Sequence, residues 1–93
     1  MFVGVLQVEL SIPGSHSLKE KRHVVRSLVD RLRREHAVAA AEVGALDTWN
    51  RAILGIAFVS NDARHAQSHL QKVVNRLERE REATLLDSQI EVF

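Results

Sequence analysis

The chain has 93 residues, a formal net charge of +1, 45% apolar and 27% charged side chains, and no cysteine. That length supports one domain with one core, the composition excludes an extensively disordered chain, and the missing thiols exclude disulfides, thiolate catalysis and thiolate metal sites. No apolar run is long enough to span a bilayer, and Met1-Phe2-Val3 leads straight into a strand pattern without the features of a secretory signal, so a cytoplasmic protein that does not enter a membrane is expected.

Phe2 to Leu10 is rich in β-branched and bulky apolar residues. Its second half alternates as a half-buried strand does, with Leu6, Val8 and Leu10 on one face and Gln7 and Glu9 on the other. Ile12-Pro13-Gly14-Ser15-His16 contains the only proline and reads as a turn. Ser17 and Glu20 then have the spacing of a capping box, in which the hydroxyl accepts from the Glu20 N–H and the carboxylate reaches back to the Ser17 N–H, so a helix starts at Leu18.

This first helix is predicted to run to about Arg34. At 100° per residue Leu18, Val24, Val25, Leu28, Val29 and Leu32 share an arc suited to packing on a sheet, and Lys19, Arg22, Arg26 and Arg33 form a cationic row along one flank of it. Lys21 falls inside the apolar arc. Either its stem lies along the core and the ammonium reaches outward, or it projects over the sheet edge toward a partner. Lys19, Lys21 and Arg22 crowd the end of the helix where the macrodipole disfavours cations, by about 0.3–1 kcal/mol each. An anionic ligand or a carboxylate of the fold is needed to offset them.

Ala37 to Val43 has weak strand propensity because of its alanines but the right position for a second strand. A helix continued through these alanines is the alternative, disfavoured because His36-Ala37-Val38 interrupts the apolar stripe. Gly44 to Asn50 is a turn, and Arg51 to Val59 is apolar enough to be a strand covered on both faces. Ser60-Asn61-Asp62 carries a second N-cap signal, followed by a helix to about Arg81 whose apolar arc is Ala63, Ala66, Leu70, Val73, Val74 and Leu77. Glu78 to Glu82 reads as a solvated end with local ion pairs. A last strand, roughly Thr84 to Phe93, sets Ile90 and Val92 against Gln89, Glu91 and Phe93.

The element order β-α-β-β-α-β predicts an α+β fold over residues 1–93: a single ferredoxin-like domain, with a four-stranded antiparallel sheet and both helices on one face. Leu6, Val8, Leu54, Ile56 and Phe58 would meet the helices. Val3, Val5, Ile53, Ala57 and Val59 would lie on the other face, where self-association is the simplest cover for so apolar a surface.

A strand, a Pro-containing turn, the run Ser17-Leu18-Lys19-Glu20-Lys21-Arg22, then Val38 through Glu42, Trp49 and the Val59-Ser60-Asn61-Asp62 junction together resemble the YlxP-like family of small bacterial proteins of unknown function. The resemblance covers essentially the whole chain and is most specific in the Ser-Leu-Lys-Glu-Lys-Arg run. It implies a ferredoxin-like fold and, because such proteins lie in genomic neighbourhoods with translation-initiation and ribosome-maturation genes, an RNA-linked role. It implies no catalytic residue.

Charge is segregated along the chain: Ser15 to His36 has a balance of +4 and the remainder −3. Lys19, Lys21, Arg22, Arg26 and Arg33 are therefore the candidate contacts to an anion or to RNA, with the ribosome or its RNA as partner. Intramolecular pairing with Glu42, Asp47 or Glu91 is the competing explanation. The chain has no tyrosine, no aromatic pair on the central strands and no Gly-rich clamp, so RNA contact would run through backbone and shape. A homo-oligomer using the open sheet face is the alternative function.

His65 and His69 stand at i and i+4 on the second helix, but a zinc site needs further ligands, so no metal and no cofactor is expected. Ser15, Ser17 and Ser60 are explained as turn or cap residues. Glu42 and Asp47 have no oriented partner in the sequence, so no enzymatic activity is expected. Trp49 reads as a hydrophobic lid or interface residue, with base stacking as the alternative.

Overall fold

The alternating and helical periods of the sequence resolve, in a computed structural model describing Met1–Phe93, into β1 (Phe2–Ser11), α1 (Leu18–His36), β2 (Ala39–Gly44), β3 (Arg51–Ser60), α2 (Ala63–Glu78) and β4 (Thr84–Val92). The strands form one antiparallel sheet in the order β2-β3-β1-β4, so β1 and β3 are central. This is the ferredoxin-like α+β arrangement, and no helix is long and apolar enough to cross a membrane.

Register explains the core. Leu6 pairs with Ile56 and Val8 with Leu54, and all four point into the layer between sheet and helices, where they are fully buried. Val25, Leu28, Val29 and Leu32 of α1 and Leu70, Val73, Val74 and Leu77 of α2 close over them. Burying each such side chain contributes about 1.5–3 kcal/mol. Sheet and α2 approach closely at Gly4, where a Cβ would lie 2.7 Å from Leu70 Cδ1. Val3, Val5, Ile53, Ala57 and Val59 lie on the open face, where Val3 is opposite Val59, Val5 opposite Ala57 and Ile53 opposite Glu9, with Val59 59% exposed. Val43 and Phe93 add exposed apolar surface beside them.

Both helix ends and one strand pairing differ from the sequence expectation, and β2 starts at Ala39 rather than Ala37. α1 continues past Arg34 to His36 and stops at Ala37, which takes the left-handed conformation (φ 51°) without a glycine to favour it. α2 ends at Glu78 rather than near Arg81, with the N–H of Arg79 closing onto the Arg76 carbonyl and that of Glu80 onto the Leu77 carbonyl. A bulge in the β1–β4 ladder between Glu9 and Leu10 leaves Leu86 unpaired and exposed.

Candidate nucleic-acid interface

The start of α1 is satisfied from within the chain. Ser17 Oγ accepts from the Glu20 N–H at 3.1 Å, as the capping box requires. The reciprocal bond differs: Glu20 Oε2 accepts from the His16 N–H at 2.6 Å rather than from Ser17. Ser15 is buried and donates to the Ser17 carbonyl at 3.0 Å, which fixes the turn before the cap. The Glu20 carboxylate thus sits at the positive end of the helix dipole and offsets part of the cationic crowding there.

Lys21 does not belong among the anion contacts. Its side chain is 0% exposed, and Nζ donates to the carbonyls of Ala45 (2.8 Å) and Leu46 (3.4 Å) while pairing with Glu42 Oε2 at 2.8 Å. Two ammonium protons thus go to backbone carbonyls and the charge is matched by Glu42, which leaves the group committed inside the protein. Glu42 points from β2 into the same layer, 16% exposed, and its buried Oε2 has no hydrogen-bond donor, so the ion pair alone compensates its burial. The arrangement ties the first turn of α1 to the β2–β3 hairpin. Of the three carboxylates weighed as intramolecular partners, only Glu42 serves; Asp47 and Glu91 are exposed and pair with no cation.

The other four candidates stay on the surface. Lys19, Arg22 and Arg26 are exposed and have neither an ion-pair partner nor a side-chain hydrogen bond. Arg33 is half-committed: Nη2 donates to the Ala40 carbonyl at 2.7 Å, and Nη1 lies 3.6 Å from Asp30 in a solvated pair. That contact with β2 defines the flank, because Arg22, Arg26 and Arg33 occupy neighbouring angles on the helix. From Arg22 to Arg33 the row runs about 16 Å at 1.5 Å per residue.

At the hairpin end of this row stands a pair that sequence reasoning left apart. The rings of His16 and Trp49 approach to 6.3 Å between centroids at 32°, and the Trp49 side chain remains 46% exposed. Nothing in the spacing of positions 16 and 49 signals this, because it depends on the fold of two loops. On the other side of Lys19 an open cleft of about 800 Å³ lies between the β1–α1 turn and the α2–β4 turn. It carries both signs of charge, Lys19 and Arg81 against Glu20 and Glu82.

The α2-facing flank of α1 is built differently. Arg31 lies 3.6 Å from Glu80, and Arg76 lies 3.1 Å from Glu80 and 3.5 Å from Glu35. Glu80 was expected at a solvated helix end, yet its side chain is only 6% exposed. Burial alone would raise its pKa; the charge of Arg31, the hydrogen bonds from Arg76 and the Arg81 N–H, and the charge of Arg76 outweigh burial and hold it below its ordinary 4.5.

His65 and His69 both lie against Phe58, whose ring stacks on His69 at 4.0 Å and meets His65 edge-on at 5.5 Å. His69 Nε2 donates to the His36 carbonyl, which commits that nitrogen to joining the end of α1 to α2. Burial lowers the pKa of His36; Glu35 opposes the shift, and His69 and Arg76 reinforce it.

Against known proteins, residues 3–90 match the family described as Protein of unknown function (DUF503). The chain is also similar to the uncharacterized protein YlxP of Bacillus subtilis (strain 168), 36% identical over 72 residues that cover 77% of this chain and 78% of that protein. A match over nearly the full length and a relative at that identity agree with the motifs around Ser17 and Asp62, and the chain belongs to the DUF503 family.

Proposed function

We propose that this protein is a cytoplasmic, non-enzymatic RNA-binding protein that meets its partner, the ribosome or RNA associated with it, through the β2-facing flank of α1. The observation that carries the reading is the set Lys19, Arg22 and Arg26, three neighbouring surface cations without an intramolecular partner. Phosphate contacts of this kind orient a nucleic acid and make affinity fall steeply with salt. Of the side chains first weighed for catalysis, all but the exposed Asp47 already have structural work, which supports a binding role. Ser17 and Ser60 accept from backbone N–H groups, Ser15 donates to a carbonyl, and Glu42 is held by Lys21.

The double variant Lys19→Glu, Arg22→Glu tests the reading. In a gel shift at low salt it is expected to lose RNA retention while keeping the circular dichroism spectrum and urea midpoint of the wild type. Unchanged retention would remove the surface from consideration.

A second reading rests on the open sheet face, where Val3, Val5, Ile53, Ala57 and Val59 adjoin exposed Val43 and Phe93. A homo-oligomer covering this face would be split by Val5→Asp with Val59→Asp. Sedimentation of the wild type as a monomer at high concentration would count against it.

A further inference from the structure

Trp49 is the only tryptophan of the chain, and the fold holds it outside its core. Its loop is anchored on both sides. Before it, the Ala45 and Leu46 carbonyls accept from the buried Lys21 ammonium, and the Thr48 N–H closes onto Ala45 at 3.1 Å. After it, the Asn50 carbonyl accepts from the Ile12 N–H at 2.9 Å. A large ring left 46% exposed on so tightly anchored a loop uses only part of the burial that is the usual reason for a tryptophan. Its aromatic neighbour is His16, also exposed, with the two ring planes tilted by 32° rather than stacked closed. His16 in turn is held by its own N–H on Glu20, one residue before the cap of the helix that carries Lys19, Arg22 and Arg26.

From these contacts we infer that Trp49 and His16 form a stacking platform for an unpaired nucleobase, and that the ligand of the basic flank is single-stranded RNA rather than a duplex. The inference rests on the RNA reading above and narrows it. A base inside an A-form helix has both faces covered by its neighbours and cannot be offered to a ring at the end of a cationic row; an unstacked base can. Aromatic stacking with adjacent phosphate contacts is the general chemistry of single-strand binding, and it tolerates any base because every base has a π face. The buried Lys21–Glu42 pair is then a positioning device: it touches no ligand and holds the hairpin that presents Trp49.

The single tryptophan makes the test direct. A short unstructured RNA oligonucleotide, labelled for anisotropy, and an RNA duplex of the same length are each titrated with wild type, Trp49→Ala, Trp49→Phe and His16→Ala at fixed low salt. The single strand is expected to quench wild-type tryptophan emission with the same midpoint as the anisotropy rise. Trp49→Ala is expected to weaken single-strand binding about tenfold, Trp49→Phe to retain most of it, and duplex binding to change little in any variant. Single-strand binding by Trp49→Ala at wild-type strength, or an anisotropy rise without quenching, overturns the platform and leaves the RNA reading standing. If neither RNA binds the wild type, both fall together.

Discussion

On the flank of α1 that faces α2, Arg31 and Glu35 are tied to Glu80 and Arg76; on the flank that faces β2, Lys19, Arg22 and Arg26 have no partner at all. Both sides carry arginines, so the presence of a cation does not separate them. What differs is the neighbouring element. The end of α2 and the turn after it bring Arg76 and Glu80 to α1, whereas β2 offers a single carboxylate, the inward Glu42 that Lys21 takes, and the Ala40 carbonyl that Arg33 takes. Cations on the first flank are explained by the fold, and Lys19, Arg22 and Arg26 on the second are left for something outside it. A charged row on a helix is thus informative only after its internal pairs have been subtracted.

Lys21 lies between the two flanks, and the largest effect is expected there. Lys21→Met leaves the Glu42 carboxylate buried without its counter-charge and the Ala45 carbonyl without its donor, a loss of about 3 kcal/mol. The double variant Lys21→Met, Glu42→Leu is expected to regain most of that loss, because an apolar pair avoids the desolvation of both charges. Urea denaturation of the four proteins in the cycle measures the coupling, and additive losses would mean that the pair is not the interaction that matters.

Next in size is Glu80. Glu80→Gln keeps the shape but removes the charge that Arg31 and Arg76 share, a loss of about 1.5 kcal/mol. Because the folded-state pKa of Glu80 lies below 4.5, its contribution is present in full above that value and is lost as pH falls through the folded pKa. The wild type should therefore lose its advantage over Glu80→Gln on acidification. An advantage that persists with the carboxyl protonated would show that packing, not charge, ties this flank.

The contrast between the flanks was only partly legible in the sequence. The core was, because Leu6 and Val8 alternate with polar residues and because Ser17 and Asp62 announce two helix starts by local chemistry, although the apolar run of β3 suggested cover on both faces and Val59 is 59% exposed. The helix ends were not. Ala37 stops α1 in a left-handed conformation that no residue type there signals, and α2 ends early where Glu80 turns back to Arg31 and Arg76. The position of Lys21 within the apolar arc marked it as unusual, but periodicity reports only which way a side chain leaves its helix. Choosing Glu42 over Asp47 or Glu91 required the hairpin to be folded. The His16–Trp49 approach joins two loops, whose conformations have no period to read.

A smaller effect is expected at the far end of the paired flank. The pKa of His36 is lowered by burial, with Glu35 opposing and His69 and Arg76 reinforcing. The unfolded chain therefore takes up its proton first as pH falls. Its contribution is complete above 6.5 and declines as pH falls from 6.5 toward the folded pKa. His36→Gln should flatten the urea midpoint across that window; an unchanged slope would assign the slope to another histidine.

The smallest effect has the opposite sign. Lys19 stands in the first turn of α1, against the helix dipole and without a partner, so the folded protein by itself gains nothing from it. Lys19→Gln is expected to leave stability unchanged or raise it by about 0.3 kcal/mol at low salt, and added salt should erase the difference by screening an exposed charge. The same substitution removes one phosphate contact, so the slope of log affinity for single-stranded RNA against log salt should become shallower by about 0.7. Stability and binding then move in opposite directions, as a residue retained for a partner requires. A loss of stability above 1 kcal/mol would instead reveal an internal role for Lys19 and make the two flanks of α1 alike.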